Sequence, residues 1–277
     1  MTSIIQAIIL GIIQGITEWL PISSSGHLVI TKYLLNLQPD ILFDVLLHYG
    51  SLIVILTMFY KDITKIVYAL IPKSFFKRKY KTFKQHYYYR QYRKLAYYII
   101  IASIPTALAG YYLHDVFESL FSDIFAVSIA LLITGLILFS TKFKSQYPIT
   151  RKNPNNILKS FTIGISQALA IIPGISRSGS TISTGLLLGF SRKQAARFSF
   201  LLAIPAIFGA TLYQINTTPN YVFNSEYLIP ILVGTITSII VGFLSLKWLL
   251  RIIKKGHLHR FAYYCWIVGI LILISLI

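Results

Sequence analysis

Runs of apolar residues close to the thickness of a bilayer constrain this chain more than any other feature. They recur at Leu52–Leu70, Leu95–Leu113, Ile124–Ser140, Ala195–Tyr213, Leu228–Leu250 and Phe261–Ile277. A spanning helix needs about 20 such residues, and in hydrocarbon only a helix or a closed barrel satisfies its own backbone. The pattern predicts an all-α integral membrane protein, one polytopic domain over residues 1–277, with about six transmembrane helices and no soluble domain. Composition agrees, with 12% charged residues and a mean hydropathy of +0.68, where soluble domains carry about 25% charge. No basic stretch precedes the first apolar run, so no cleavable signal peptide is expected. The single cysteine, Cys265, lies within an apolar run and reads as a small core residue.

The net charge of +18 does not point to nucleic acid. The bases fall in short segments between apolar runs: Lys73, Lys77, Arg78, Lys79, Lys81, Lys84, Arg90, Arg93 and Lys94; then Lys142, Lys144, Arg151, Lys152 and Lys159; then Arg192, Lys193 and Arg197; then Arg251, Lys254, Lys255 and Arg260. Cytoplasmic loops collect Lys and Arg, so these four segments read as cytoplasmic. The first also holds Tyr87, Tyr88, Tyr89 and Tyr92. Basic residues among aromatics can bind RNA, but an anionic lipid surface explains the same composition. The acidic segments, with Asp115, Glu118 and Asp123, with Glu226, and with Asp40, read as external. Both termini are expected outside. Lys32 is the exception, a base near a segment assigned to the outside.

The stretch Pro173-Gly-Ile-Ser-Arg-Ser-Gly-Ser-Thr181 carries the most chemistry. A charge at membrane depth is costly, so it is rarely there without a task. Arginine presents a planar fork of donors that matches a phosphate, while glycines and small hydroxyls add further donors. The stretch lies between two segments assigned to the cytoplasm, so it should enter and leave on the same side. Pro173, Gly174 and Gly179 interrupt it. Two half-membrane helices around a polar tip fit better than one span, because irregular backbone at that depth must line a cavity or be buried in protein.

The chain repeats itself. Gly11-Ile-Ile-Gln14 matches Gly164-Ile-Ser-Gln167, and Ile22-Ser-Ser-Ser-Gly26 matches Ile175-Ser-Arg-Ser-Gly179, both with residues 153 apart (164 − 11 and 175 − 22). Thr31 with Thr184 and Leu34-Leu35 with Leu187-Leu188 keep the same spacing. The repeats cover approximately residues 1–145 and 155–277. The first re-entrant hairpin should enter from outside and the second from inside, an inverted arrangement whose broken tips meet near mid-membrane.

The copies differ where chemistry would need them to. Glu18 stands opposite Ile171, His27 opposite Ser180, and Ser24 opposite Arg177. Gln14 and Glu18, four apart, share one helix face. Brought together, these residues offer a base or metal ligand, a proton carrier, a nucleophile and an anion clamp. The plainer alternatives are a buried ion pair for Glu18 with Arg177, an interfacial position for His27, and small packing residues for Ser23 and Ser25.

Gln14–Glu18, Pro21–His27 and Pro173–Thr181 resemble the signatures of the undecaprenyl-diphosphate phosphatase family, and the similarity extends through Phe43–Gly50 and Phe198–Pro205 to essentially the whole chain. The resemblance implies a multi-pass hydrolase of a bacterial plasma membrane. It would convert a polyprenyl diphosphate to the monophosphate and phosphate, recycling the carrier for peptidoglycan and conferring bacitracin resistance. It implies catalytic roles for Glu18, Ser24, His27 and Arg177, and support from a divalent metal, Mg²⁺ or Ca²⁺; Glu18 would serve as a base or as the ligand of that metal. Gln14 stands where many members have a second glutamate. Gln14, Ser23, Ser25, Gly26, Gly174, Ser176, Ser178 and Thr181 complete the expected substrate-binding set, with the polyprenyl tail among membrane lipids and the site opening to the outer side. Oligomeric state is left open, as is the choice between Ser24, His27 and water as nucleophile. A transporter or flippase of a polyprenyl phosphate would share the repeats and the anion site but would not need Glu18 and His27 beside the arginine.

Overall fold

The computed structural model describes residues 3–38, 40–71, 83–144, 157–217 and 225–276. Lys73, Lys77, Arg78, Lys79, Lys81, Arg151 and Lys152 lie outside the described residues, as do the side chains of Lys84, Tyr87 and Tyr88.

The described residues form twelve α-helices and no strand. The first half holds α1 (Ile4–Thr17), α2 (Ser24–Leu34), α3 (Ile41–Met58), α4 (Tyr60–Leu70), α5 (Phe83–Tyr112), α6 (His114–Leu120) and α7 (Ile124–Ser140). The second holds α8 (Ile157–Leu169), α9 (Arg177–Leu187), α10 (Arg192–Thr217), α11 (Ser225–Lys255) and α12 (Phe261–Ser275). Five of the described helices are long and apolar enough to cross a bilayer, or six if the bent pair α3–α4 is counted as one span.

One expected span is placed differently. The run Leu52–Leu70 is not one helix: α3 begins at Ile41 and ends at Met58, and α4 leaves it at 80°. Phe59, with φ −110° and ψ 17°, caps the end of one and the start of the other. Lys61, Asp62 and Lys65 suit α4 poorly to hydrocarbon. The turn lays it against α5 instead, where Arg197 grips Asp62 with both ends of its fork, at 3.0 and 2.7 Å, and Tyr92 donates to the same carboxylate.

α1 and α8, with 14 and 13 residues, are too short to span. Each leads through a broken turn into an 11-residue helix, α2 and α9. The starts of α1 and α8, and both ends of α2 and α9, are again 153 residues apart. α1 packs on α11, and α8 packs on α5. Both contacts depend on glycine: a Cβ on Gly11 would stand 2.4 Å from the Gly234 carbonyl oxygen, and one on Gly164 would stand 2.3 Å from that of Ala102.

The hairpins approach the bundle centre from opposite ends. The last turn of α2 shares a cavity with Phe121, Ser122 and Ile124, at the start of α7. The helix α9 instead packs near Thr141–Lys144, at the other end of α7. Around the tips, Trp19 is fully buried, edge-on to Phe200 of α10 at 5.8 Å. Lys32 is no loop charge: it is buried in an ion pair with Asp44 of α3 at 2.7 Å.

Candidate active site

The two hairpin tips are tied to each other. Ser23 caps α2 with φ 69°, a conformation that costs a non-glycine residue of order 1–3 kcal/mol. Its hydroxyl accepts from the Gly26 N–H at 3.3 Å and, across the interface, from the Gly174 N–H at 3.1 Å. Gly174 has φ +97°, and an added Cβ would stand 2.5 Å from the Val127 carbonyl oxygen. Its own carbonyl accepts from Thr134 of α7 at 2.8 Å, and the Ser176 N–H donates back to Thr134 Oγ1 at 3.0 Å.

This junction fixes the position of Glu18, the residue that ends α1. Glu18 Oε2 accepts from the Ser24 hydroxyl at 2.6 Å and from Gln14 Nε2 at 3.0 Å, and His48 Nε2 lies 3.2 Å away. Glu18 Oε1 pairs with the Arg177 guanidinium from the other hairpin. Both partners are largely buried, with side chains 5% and 15% exposed. Arg177 has a second nitrogen, NH1, that is buried and donates to no protein acceptor, an open donor of the kind a phosphate takes. Glu18, Ser24, His48 and Arg177 line a cavity of about 210 Å³, with Gln14 behind Glu18 and not on the wall; the remaining wall is largely apolar, including Val45, Phe121, Ile171, Ile175 and Ile207. Ser24 and Arg177 are the first residues of α2 and α9, and helix N-termini favour anions.

Gln14, Glu18, Ser24 and Arg177 are therefore brought together, as expected. His27 is not. Its Nδ1 donates to the Ser23 carbonyl at 2.7 Å, which holds the ring toward α12, where Nε2 accepts from the Tyr264 hydroxyl at 2.9 Å and the two rings stack. It is absent from the cavity wall. The imidazole present is that of His48, whose Nδ1 donates to the Asp44 carbonyl at 2.7 Å and whose Nε2 is 3.3 Å from Ser24 Oγ.

The expected phosphate cradle is also smaller than predicted. Ser23, Ser25 and Ser176 line the cavity, but Ser176 Oγ caps α9 by accepting from the Gly179 N–H. Ser178 donates to the Trp19 carbonyl at 3.3 Å. Thr181 donates to the Arg177 carbonyl and lies 2.6 Å from Ser199 Oγ of α10. Gly26 gives its N–H to Ser23 and packs against Gly174. Gly26, Gly174, Ser178 and Thr181 build the junction rather than face a ligand, and Ser23 does both.

Glu18 is a poor fit to a metal ligand as it stands. It is the sole carboxylate on the cavity wall among the described residues, and both its oxygens are engaged. The one described group of three close metal-ligating side chains, His114, Asp115 and Glu118, lies on α6 away from the cavity.

Sequence reasoning missed His48, Thr106 and Gln167. The signals were present: Asp44 and His48 are two ionisable residues one turn apart in an apolar helix, and Gln167 occupies the repeat position of Gln14.

Known proteins are similar along the whole chain. A family model described as bacitracin resistance protein BacA matches residues 7–271. An undecaprenyl-diphosphatase of Methanosphaera stadtmanae is 42% identical over 275 residues, 99% of this chain and 98% of that protein. Another, of Methanobrevibacter smithii, is 41% identical, covering 97% of this chain and 96% of the relative. A third, of Halothermothrix orenii, is 42% identical, covering 98% and 97%.

Proposed function

The chain belongs to the bacitracin resistance protein BacA family, and on that footing we propose that it is a membrane phosphatase that hydrolyses undecaprenyl diphosphate to undecaprenyl phosphate and phosphate. The observation that carries this reading is the Glu18 carboxylate held between a serine hydroxyl and a buried arginine, at a cavity where two helices begin. A carrier of lipid phosphates has use for the arginine but none for a hydroxyl paired with a base. That the relatives bear the diphosphatase name supports the same reading.

Arg177 NH1, with the N-termini of α2 and α9, receives the terminal phosphoryl group. Ser24 Oγ attacks its phosphorus while the hydroxyl proton passes to Glu18 Oε2. The bond to the bridging oxygen breaks, and the polyprenyl phosphate leaves with that oxygen. Water then adds to the phosphoserine, losing its proton to the protein, and releases inorganic phosphate and free Ser24. The diphosphate's lipid tail lies in the membrane. The site opens to the outer side of the plasma membrane, as the charge asymmetry suggests. A divalent cation, Mg²⁺ or Ca²⁺, belongs to this proposal only as a companion of the diphosphate, and no step uses it.

The test is phosphate release from undecaprenyl diphosphate by the purified protein, with Glu18→Gln as control. That variant keeps the shape and avoids leaving Arg177 beside a void. Turnover should fall by about 100-fold or more, as general-base losses do. Absence of phosphate release by the wild type, or wild-type turnover in Glu18→Gln, overturns the reading.

A further inference from the structure

We propose that Gln167, backed by Thr106, is the subsite for the second phosphoryl group of the substrate, the one attached to the lipid. It would be the feature that lets the cavity select a diphosphate over a monophosphate. The proposal rests on the diphosphatase reading above and specifies how that site tells its substrate from its products.

Gln167 of α8 and Thr106 of α5 both line the cavity that holds Glu18, Ser24 and Arg177. Gln167 is 2% exposed. Its Nε2 donates to Thr106 Oγ1 at 3.2 Å, and its Oε1 accepts no hydrogen bond from the protein. A buried amide with an open end is unusual, because buried polar groups are normally paired.

The repeat explains why this amide has no anion partner: the Oε1 of Gln14 and of Gln167 are both open, and the two differ in what Nε2 meets. Gln14 occupies the same place in the first hairpin, and its Nε2 donates to the Glu18 carboxylate at 3.0 Å. In the second hairpin the position of Glu18 is taken by Ile171, which also lines the cavity. The chain thus presents the same amide twice, once with an anion of its own and once without. A half-turn about the last bond of the side chain lets Oε1 accept from the Thr106 hydroxyl once that hydroxyl gives up its long, 3.5 Å bond to the Gly164 carbonyl. It then turns Nε2, with its two protons, toward the cavity. A phosphoryl oxygen there would stand to Gln167 as Glu18 stands to Gln14.

Other hydroxyls on the wall are not competitors for this role. Thr17 and Thr211 donate to their own helices, at the Ile13 and Ile207 carbonyls. The polar groups of the cavity therefore fall into two poles, the Arg177 cluster with the neighbouring serines, and the Gln167–Thr106 pair. A diphosphate can bridge two poles; a monophosphate product can occupy only one. Cleavage of the P–O–P bond removes the bridge and weakens the hold on both products.

The test is inhibition of the purified protein by a methylene-bridged prenyl bisphosphonate, with inorganic phosphate as the single-phosphoryl probe. Gln167→Leu should weaken the bisphosphonate about ten-fold or more. It should raise KM for the prenyl diphosphate by a similar factor while changing kcat less. Inhibition by inorganic phosphate should stay within about two-fold, since only one pole has been touched. Gln167→Glu, nearly the same size, guards against loss of fold and should weaken the bisphosphonate further, because a carboxylate would face phosphoryl oxygens. Unchanged bisphosphonate inhibition in a folded variant overturns the subsite. So does an equal loss for bisphosphonate and phosphate, which would mean general damage to the cavity. A wild type that releases no phosphate from the diphosphate would instead refute the reading beneath it.

Discussion

Ser24 and His27 are three residues apart and have different surroundings. Ser24 Oγ donates to Glu18 at 2.6 Å inside the cavity, while His27 is held between the Ser23 carbonyl and Tyr264. Ser24→Ala should therefore lower turnover by roughly 10²–10⁴-fold, the range of a lost nucleophile or acid–base group. His27→Ala should retain more activity and instead loosen α2 from α12. Acid-quenched ³²P trapping should recover phosphoserine, and a phosphohistidine at His27 would reverse the assignment. Glu18, Ser24 and Arg177 were legible in the sequence because the two repeats differ there in chemical type, not merely in size. His48 stood out only as an ionisable residue in an apolar helix; its place beside Glu18 and Ser24, 30 and 24 residues away along the chain, comes from the fold. His27 also differs between the repeats, yet its ring faces Tyr264 and not the cavity, because the bond from its Nδ1 to the Ser23 carbonyl turns it toward α12.

The elements meet through glycine, and this gives a prediction with an internal control. Gly11→Ala and Gly164→Ala would drive a methyl group against backbone carbonyls of α11 and α5. Each should destabilise the protein by about 1–3 kcal/mol, the usual range for overpacking. Gly209→Ala meets nothing within 4 Å and should be near neutral or slightly stabilising, because it removes a glycine from the interior of α10. Thermal unfolding in detergent measures all three, and equal shifts would refute the close-approach argument. Most helices were legible as apolar runs, since hydrocarbon demands length and apolarity in the same segment. The break at Phe59 was not, because no proline or glycine marks it. It follows from the charges on α4, which acquire partners on α5 and α10 only once the chain has folded.

At the scale of the molecule, the basic segments converge. Arg192 donates to the Lys254 carbonyl, and Arg197, Tyr92 and Asp62 join the starts of α10 and α5 to α4. At the far end of α10, Tyr213 packs on His114, beside Asp115 and Glu118. One end of the bundle is thus basic and the other acidic. The basic end should be cytoplasmic and both termini external. In a background lacking Cys265, a cysteine at position 79 should resist a membrane-impermeant reagent in intact cells, while one at position 118 should react. External labelling at position 79 would overturn this orientation. The two hairpins have their outer ends at opposite ends of α7, and their tips are joined at the centre by the bond from the Gly174 N–H to Ser23. A bilayer that is too thick or too thin strains helices along its normal at a modest cost per ångström. The pair of Glu18 and Arg177 spans the same junction, so turnover should vary with the acyl-chain length of the surrounding lipid, which assays in vesicles of different hydrocarbon thickness would check.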